Sequence, residues 1–339
     1  MPQQTHKKNQ FFIITALQLI NAVEYIYHTG KENDFNELIL CTVSHKIKKE
    51  AESVLHLFKW SKVIDLVPEK FLKINNLLLR TAVINYSARR KLNKIFDPEA
   101  DLIFGHERNV FCRYISKKGK NARQVLLDDG AGSIAFKHDH EVKHGGRLPV
   151  LTEKYFGVEN HFVRPDLFFT AYRDKIDPSA LGAVKLMDNS FAYLKKLAKD
   201  RKISNDVYFI GDPLVERNVI SEEDYFRQIE EVKNIYGDNL FYVPRSTEDP
   251  EKVEKIGKMV KIIRPGVPFE VFLVTREELP KVLVGYHTSV IFNTHRLFGD
   301  TIKMYHIKLK EFRREIYKEI LPKIYKELDL ISEEWSVPK

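Results

Sequence analysis

The chain has 339 residues, 43% of them apolar and 30% charged, which excludes disorder for most of its length and supplies enough core for about two domains of about 150 residues. Basic residues outnumber acidic ones by 55 to 47, a net charge of +8, and this favours an anionic partner: a phosphorylated small molecule, an acidic membrane face or nucleic acid. Nucleic acid is not expected, because the basic clusters at Lys46 to Lys49, Arg89 to Lys94 and Lys117 to Arg123 are dispersed and no zinc-finger or RNA-recognition pattern accompanies them.

Short apolar runs alternate with helical patterns from the start, as in a parallel sheet wrapped by helices. Phe11 to Thr15 reads as the first strand and Ala16 to His28 as a helix stopped by Gly30. Strands follow at Leu38 to Val43 and Val63 to Leu66, with a helix at Ile47 to Phe58 between them and a long helical segment from Phe71 to Ile95. Asp101 to Gly105 and Gln124 to Leu127 read as two further strands on either side of a helix at Val110 to Ile115. The periodicity is lost from Phe136 to Leu181, where His, Gly and Pro collect, so this stretch reads as a long excursion at a domain edge.

A second series then begins. Val207 to Ile210, Leu240 to Val243, Val260 to Ile263, Val271 to Leu273 and Val282 to Gly285 continue the strand pattern, with a helix from Ser221 to Tyr236 opened by Ser221-Glu222-Glu223-Asp224. The tail from Ile307 to Leu328 is a basic helical pattern carrying Pro322. The expected fold class is α/β, with two Rossmann-like doubly wound domains facing across a cleft. The expected domains are residues 1–200 and 201–306, with 307–339 a terminal helix packing back across them. Cys41 and Cys112 lie in apolar runs and read as small buried hydrophobes in a reducing, cytoplasmic setting. No segment approaches the roughly 20 apolar residues of a membrane span. Lys7-Lys8 before Phe11 to Ile20 imitates a secretory leader, but Gln18 and Asn21 interrupt it.

Open α/β sheets bind ligands beyond the carboxyl ends of their strands, so the residues there are the candidates. Asp128-Asp129-Gly130 closes the strand from Gln124 and offers a general base, or else an Asx-type turn or helix cap. The following Gly130-Ala131-Gly132-Ser133-Ile134-Ala135 also matches a dinucleotide fingerprint, but it sits at the last strand of its half and behind two acids that would repel a pyrophosphate. Gly211-Asp212-Pro213 reads as a turn, and Pro244-Arg245 aims a guanidinium, suited to phosphate, at the proposed cleft. Gly285-Tyr286-His287-Thr288-Ser289 leads through glycine into two hydroxyls at a helix N-terminus, which suits either a phosphate cradle or ordinary capping, and His287 could contribute a proton. His138-Asp139-His140-Glu141 with His144 matches no familiar metal spacing and reads as solvated loop.

Phe209-Ile210-Gly211-Asp212-Pro213-Leu214-Val215-Glu216, Ser221 to Tyr225, Tyr242-Val243-Pro244-Arg245, Pro268-Phe269-Glu270 and Gly285 to Ser289 together resemble the nucleotide-binding half of bacterial sialyltransferases. The similarity is to glycosyltransferase family 52 and the bacterial polysialyltransferases. Asp128-Asp129-Gly130 resembles their acidic-acidic-Gly motif, and the opening strand with Leu17 to Ala22 also fits. The resemblance implies a GT-B fold and an inverting, metal-independent transferase that needs no cofactor and moves sialic acid or a related nonulosonate from a CMP-activated donor to a cell-surface glycan. It implies that Asp129 is the general base with Asp128 in support, that Glu270 holds the ribose hydroxyls, and that Gly211, Pro244, Gly285, His287, Thr288 and Ser289 surround the nucleotide. The relatives carry a His-Pro pair where this chain has Pro244-Arg245-Ser246, and a guanidinium can neutralise a leaving phosphate but cannot protonate it.

Two rivals accompany this reading: a capsule or teichoic-acid transferase of the same fold using another nucleotide-activated donor, and a non-catalytic glycan- or nucleotide-binding protein. The basic tail (Lys308, Lys310, Arg313, Arg314, Lys318 and Lys323 among Leu309, Phe312, Ile316, Ile320 and Leu321) suits either a closing helix or peripheral contact with the inner face of a bacterial inner membrane.

Overall fold

In the computed structural model, residues 7–136, 146–198, 201–309 and 315–336 are described. The chain divides into two compact units, Met1–Tyr193 and Leu194–Lys339.

In chain order, the first unit contains β1 (Lys8–Ile13), α1 (Ala16–Thr29), β2 (Phe35–Leu40), α2 (His45–Glu52), β3 (Lys62–Asp65), α3 (Glu69–Leu72), α4 (Leu77–Ile95), β4 (Asp101–Phe104), α5 (Val110–Lys118), β5 (Gln124–Leu127), α6 (Arg147–Phe156), β6 (Leu167–Thr170), β7 (Lys185–Asp188) and α7 (Ala192–Leu197), which runs over the boundary. The seven strands form one sheet in the order β3-β2-β1-β4-β5-β6-β7, and every pairing is parallel. Helices cover both faces of such a sheet, so its central strands are continuous apolar runs rather than alternating ones. Phe11, Phe12 and Ile13 of β1 and Leu102, Ile103 and Phe104 of β4 are fully buried in succession.

The second unit contains β8 (Lys202–Ile203), β9 (Val207–Ile210), α8 (Glu222–Tyr236), β10 (Leu240–Val243), α9 (Pro250–Gly257), β11 (Lys261–Ile262), α10 (Phe269–Thr275), β12 (Glu278–Leu279), β13 (Val282–Gly285), α11 (Ser289–Phe298), β14 (Lys303–His306), α12 (Glu315–Leu328) and β15 (Glu333–Glu334). Its main sheet has the order β11-β10-β9-β13-β14-β15, and β12 pairs β8 apart from it. Both sheets therefore wind outward in two directions from their first strand, reversing at β1/β4 and at β9/β13, the topological switch points where open α/β sheets leave a crevice.

Three expectations are corrected. The stretch from Phe136 to Leu181, expected as a long excursion at a domain edge, contributes α6 and β6, and β6 lies inside the sheet between β5 and β7. The long helix from Phe71 is interrupted, because Asn76 caps a new start and accepts from Leu79 N at 3.0 Å, leaving α3 as a separate turn. Val271 to Leu273 lies inside α10 rather than in a strand; a short apolar run is the pattern that cannot tell a buried helix from a strand.

Arg113 of α5 is fully buried. Its guanidinium donates to Glu153 Oε1 at 2.8 Å, to His161 O at 2.7 Å and to Val158 O, so one side chain ties α5 to α6 and to the turn beyond it. In the second unit Leu321 and Leu328 of α12 are buried, and the Tyr325 hydroxyl accepts from Leu309 N at 3.0 Å. Lys310, Phe312, Arg313 and Arg314 of the proposed basic face lie outside the described residues. Both cysteines are buried and free. Among the described residues no helix is long and apolar enough to cross a membrane.

Candidate functional site

In the first unit the candidates gather at the β1/β4 switch point and the neighbouring end of β5. Gly130 adopts φ +98°, a backbone region that glycine alone enters freely, and it turns the chain directly after the two acids. Asp128 points inward, 2% exposed, and accepts from Ala171 N at 2.5 Å, which ties the end of β5 to the end of β6. Its backbone carbonyl accepts from Asn21 Nδ2 at 3.1 Å. Burial pushes the Asp128 carboxyl up to about 7 against the pull of its hydrogen bonds, so near neutrality it is substantially protonated.

Asp129 points outward, its side chain 39% exposed. One oxygen accepts from Gln18 Nε2 at 2.6 Å, and the other lies 3.3 Å from His106 Nε2. His106 Nδ1 accepts from Arg108 N at 3.0 Å; that places the ring proton on Nε2, toward the carboxylate. Loss of hydration raises the Asp129 pKa, opposed first by His106 and then by Gln18. A carboxylate with raised basicity, oriented from two sides and open to solvent, has the properties of a general base.

Gln18 is fixed by the start of α1. It forms a capping box with Thr15, and its Oε1 accepts from Ile14 N at 2.8 Å. Gly105, the residue after β4, makes room for it: a Cβ there would sit 2.3 Å from Gln18 Oε1. His106 follows directly. Neither His106 nor a positioning role for Gln18 figures in the sequence reading, although both stand where strand ends direct attention, and Thr15 with Gln18 three residues on is a recognisable capping pair.

In the second unit the candidates gather at the β9/β13 switch point. Thr288 caps α11, accepting from Val290 N at 3.2 Å, and its hydroxyl also accepts from Arg245 Nη2 at 2.5 Å. Arg245 and Thr288, separate expectations from the sequence, are thus brought together. Pro244 leads from β10 into this turn, and Ser289 opens α11 half-buried. The backbone N–H of Arg245 donates to Glu248 Oε1 at 2.5 Å. Glu248 is buried and takes a further hydrogen bond from the Tyr242 hydroxyl and an ion pair from Lys252 Nζ at 2.9 Å.

Gly211 lies against that network, and a Cβ on it would come within 2.2 Å of Glu248 Oε1. Gly285 is less cramped, its nearest neighbour Thr288 Cγ2 at 3.3 Å. Burial lowers the His287 pKa, Asp212 raises it, and Arg245 and Arg217 lower it again. The net direction is down, so the ring is neutral at pH 7. Glu270, buried at the start of α10, accepts from Asn293 Nδ2 of α11 at 2.7 Å. Arg217 and Glu248 are additions to the sequence reading, which takes Asp212 only as part of a turn. The signal for Asp212 was its place after β9; Glu248 carried none, because its role depends on tertiary contacts.

Among the described residues no group of three or more His, Cys, Asp or Glu is arranged to hold a metal ion, and His138 to His144 lies outside them. The first unit can orient a base and the second can hold an anion, since a guanidinium, helix-terminal amides and hydroxyls converge there.

No curated protein matches the chain. Among solved structures, the UDP complex of MnaA from S. aureus is similar with a TM-score of 0.54 at 12% identity, covering 95% of this chain and 87% of that one. The UDP-GlcNAc 2-epimerase of Methanocaldococcus jannaschii in complex with UDP-GlcNAc and UDP gives 0.52 at 14% identity, covering 98% and 95%. TcCGT1 in complex with UDP gives 0.52 at 10% identity, covering 98% and 86%. At these identities the likeness speaks for the fold, which is GT-B with two Rossmann-like units. The family model of alpha-2,8-polysialyltransferases (POLYST) matches residues 10–306, which takes in every candidate residue above, and the chain belongs to that family of glycosyltransferases.

Proposed function

We propose that the protein transfers sialic acid or a related nonulosonate from a CMP-activated donor to a glycan hydroxyl, with inversion and without a metal. Asp129 takes the proton of the acceptor hydroxyl as the new C–O bond forms at the anomeric carbon. The bond to the phosphate oxygen breaks and its electron pair leaves with CMP. Arg245, Thr288 and Ser289 then neutralise the phosphate, with Gly211, Pro244, Gly285 and His287 shaping the pocket and Glu270 on the ribose. Most of the rate enhancement in such a scheme is electrostatic stabilisation of charge on the leaving group.

The observation that carries this reading is the presentation of Asp129 by Gln18 and His106 in a chain that matches the polysialyltransferase family. Arg245 stands where the relatives carry histidine and is held by Thr288; we read it as the electrostatic substitute, with CMP leaving as the dianion or protonated by solvent. The working location is the cytoplasmic side of a membrane. A donor screen with CMP-, CDP- and UDP-linked sugars tests the proposal. Turnover of the CMP-linked donor alone is expected, abolished by Asp129→Asn. Turnover of UDP- or CDP-linked donors alone would replace it with the same-fold rival, and CMP binding without transfer would replace it with a binding protein.

A further inference from the structure

The run Glu69-Lys70-Phe71-Leu72-Lys73-Ile74-Asn75-Asn76-Leu77-Leu78-Leu79-Arg80 carries three consecutive leucines that are 54%, 68% and 56% exposed. Consecutive helical residues point about 100° apart, so these three fan over more than half the circumference of the first turn of α4. No single protein face covers such a fan; the feature is a projecting apolar tip. Val43, just beyond β2, is also 55% exposed. His45 of α2 lies 3.7 Å from Glu69 of α3, which shows that the N-terminus of α2 and this run adjoin.

Cations surround the tip. Lys46, Lys70 and Lys73 are exposed, and Glu69, the one acid in the run, is already paired with Lys73 at 3.0 Å. Arg80 follows the leucines directly, and α4 carries no Asp or Glu; its other basic residues, Arg89, Arg90, Lys91 and Lys94, lie about 15–25 Å farther along the helix. Exposed leucines flanked by Lys70, Lys73 and Arg80 have the composition of an element that seats in the headgroup region of an anionic bilayer. A polyanion in water would use the cations and leave the leucines without a purpose.

Topology gives the tip its significance. The sheet is parallel, so α4, returning from the carboxyl end of β3, begins at the same edge of the sheet where Asp129 follows β5. β3 and β5 are four positions apart in the strand order, about 19 Å at the usual strand spacing.

We propose that residues 69–80 dock the first unit on an anionic lipid surface, tip first, and so present the Asp129 edge to a glycan acceptor carried in that membrane. The docking stands by itself; the membrane-borne acceptor rests on the function proposed above.

The experiment is co-sedimentation of the full chain with vesicles of phosphatidylcholine alone or mixed with phosphatidylglycerol. Binding is expected to the mixed vesicles, weakened by salt, and reduced at least tenfold in the triple variant Leu77→Ser, Leu78→Glu, Leu79→Ser. Thermal melting and release of CMP from the donor should stay at wild-type levels. Lys70→Glu with Lys73→Glu should lose the preference for phosphatidylglycerol. Undiminished binding of the triple variant overturns the proposal, as does absence of binding to both vesicles. Tight binding of dextran sulfate equal in both proteins, without vesicle binding, overturns it in favour of a soluble polyanion. Vesicle binding as expected in a chain that turns over no CMP-sugar would leave docking standing and remove the proposed function.

Discussion

Gln18 donates to Asp129 at 2.6 Å while its own oxygen accepts the Ile14 N–H at 2.8 Å, so the helix start that begins α1 also sets the direction of the candidate base. Asp129→Asn should lower transfer by about two to four orders of magnitude with the melting temperature little changed. Gln18→Leu removes a donor that favours the ionised form, so the acid limb of kcat/KM should move to higher pH. His106→Ala should shift it the same way, and His106→Gln, which restores an N–H near the Nε2 position, should bring it back in part. An unmoved acid limb in Gln18→Leu and His106→Ala would show that these contacts do not tune the base.

Gly105→Ala tests the same relationship from the other side. Its new methyl would fall 2.3 Å from Gln18 Oε1, so Gln18 must swing away from Asp129. The variant should reproduce the activity loss of Gln18→Leu, about tenfold or more, while circular dichroism reports a folded protein. A wild-type rate would mean that Gln18 is not needed in its observed position.

Asp128 makes stability depend on pH in a defined direction. Its folded pKa, raised to about 7, lies above the unfolded value of about 3.9, so the folded state holds the proton more tightly. The contribution is fully present below about pH 4 and is lost as pH rises toward about 7, amounting to at most about 4 kcal/mol. Asp128→Asn keeps an acceptor for the Ala171 N–H and never ionises. Its melting temperature should exceed the wild type by several degrees at pH 8 and match it near pH 4. Parallel melting profiles across that range would show that Asp128 stays charged.

Arg245→Ala should cut turnover by about two to three orders of magnitude, the usual loss when a donor to developing negative charge is removed, and Arg245→Lys should recover little because the planar fork is lost. Single-turnover kinetics separate this from weakened donor binding. An unchanged chemical step would remove Arg245 from the leaving-group role.

Much of the fold was legible because buried parallel strands announce themselves. Gln124 to Leu127, Val207 to Ile210, Leu240 to Val243 and Val282 to Gly285 coincide with observed strands, each an apolar run ending at Gly, Pro or Asp. The run at Val271 failed because three apolar residues carry no period, and α6 failed because its helix follows a glycine-rich stretch with no side-chain cap. Asp129 and Thr288 could be nominated from strand ends alone. Their partners could not: Gln18 reaches Asp129 across 111 positions and Arg245 reaches Thr288 across 43, and such pairings exist only once strand order is known.

The buried guanidinium of Arg113 has a consequence for how the first unit comes apart. Its donors are spent on α6, on the turn that follows and on the carbonyl of His161. If α6 frayed by itself, a full positive charge would be stranded among apolar side chains, a loss of several kcal/mol. The helices on that side of the sheet are therefore expected to exchange their amide protons at one common rate, opening together or not at all.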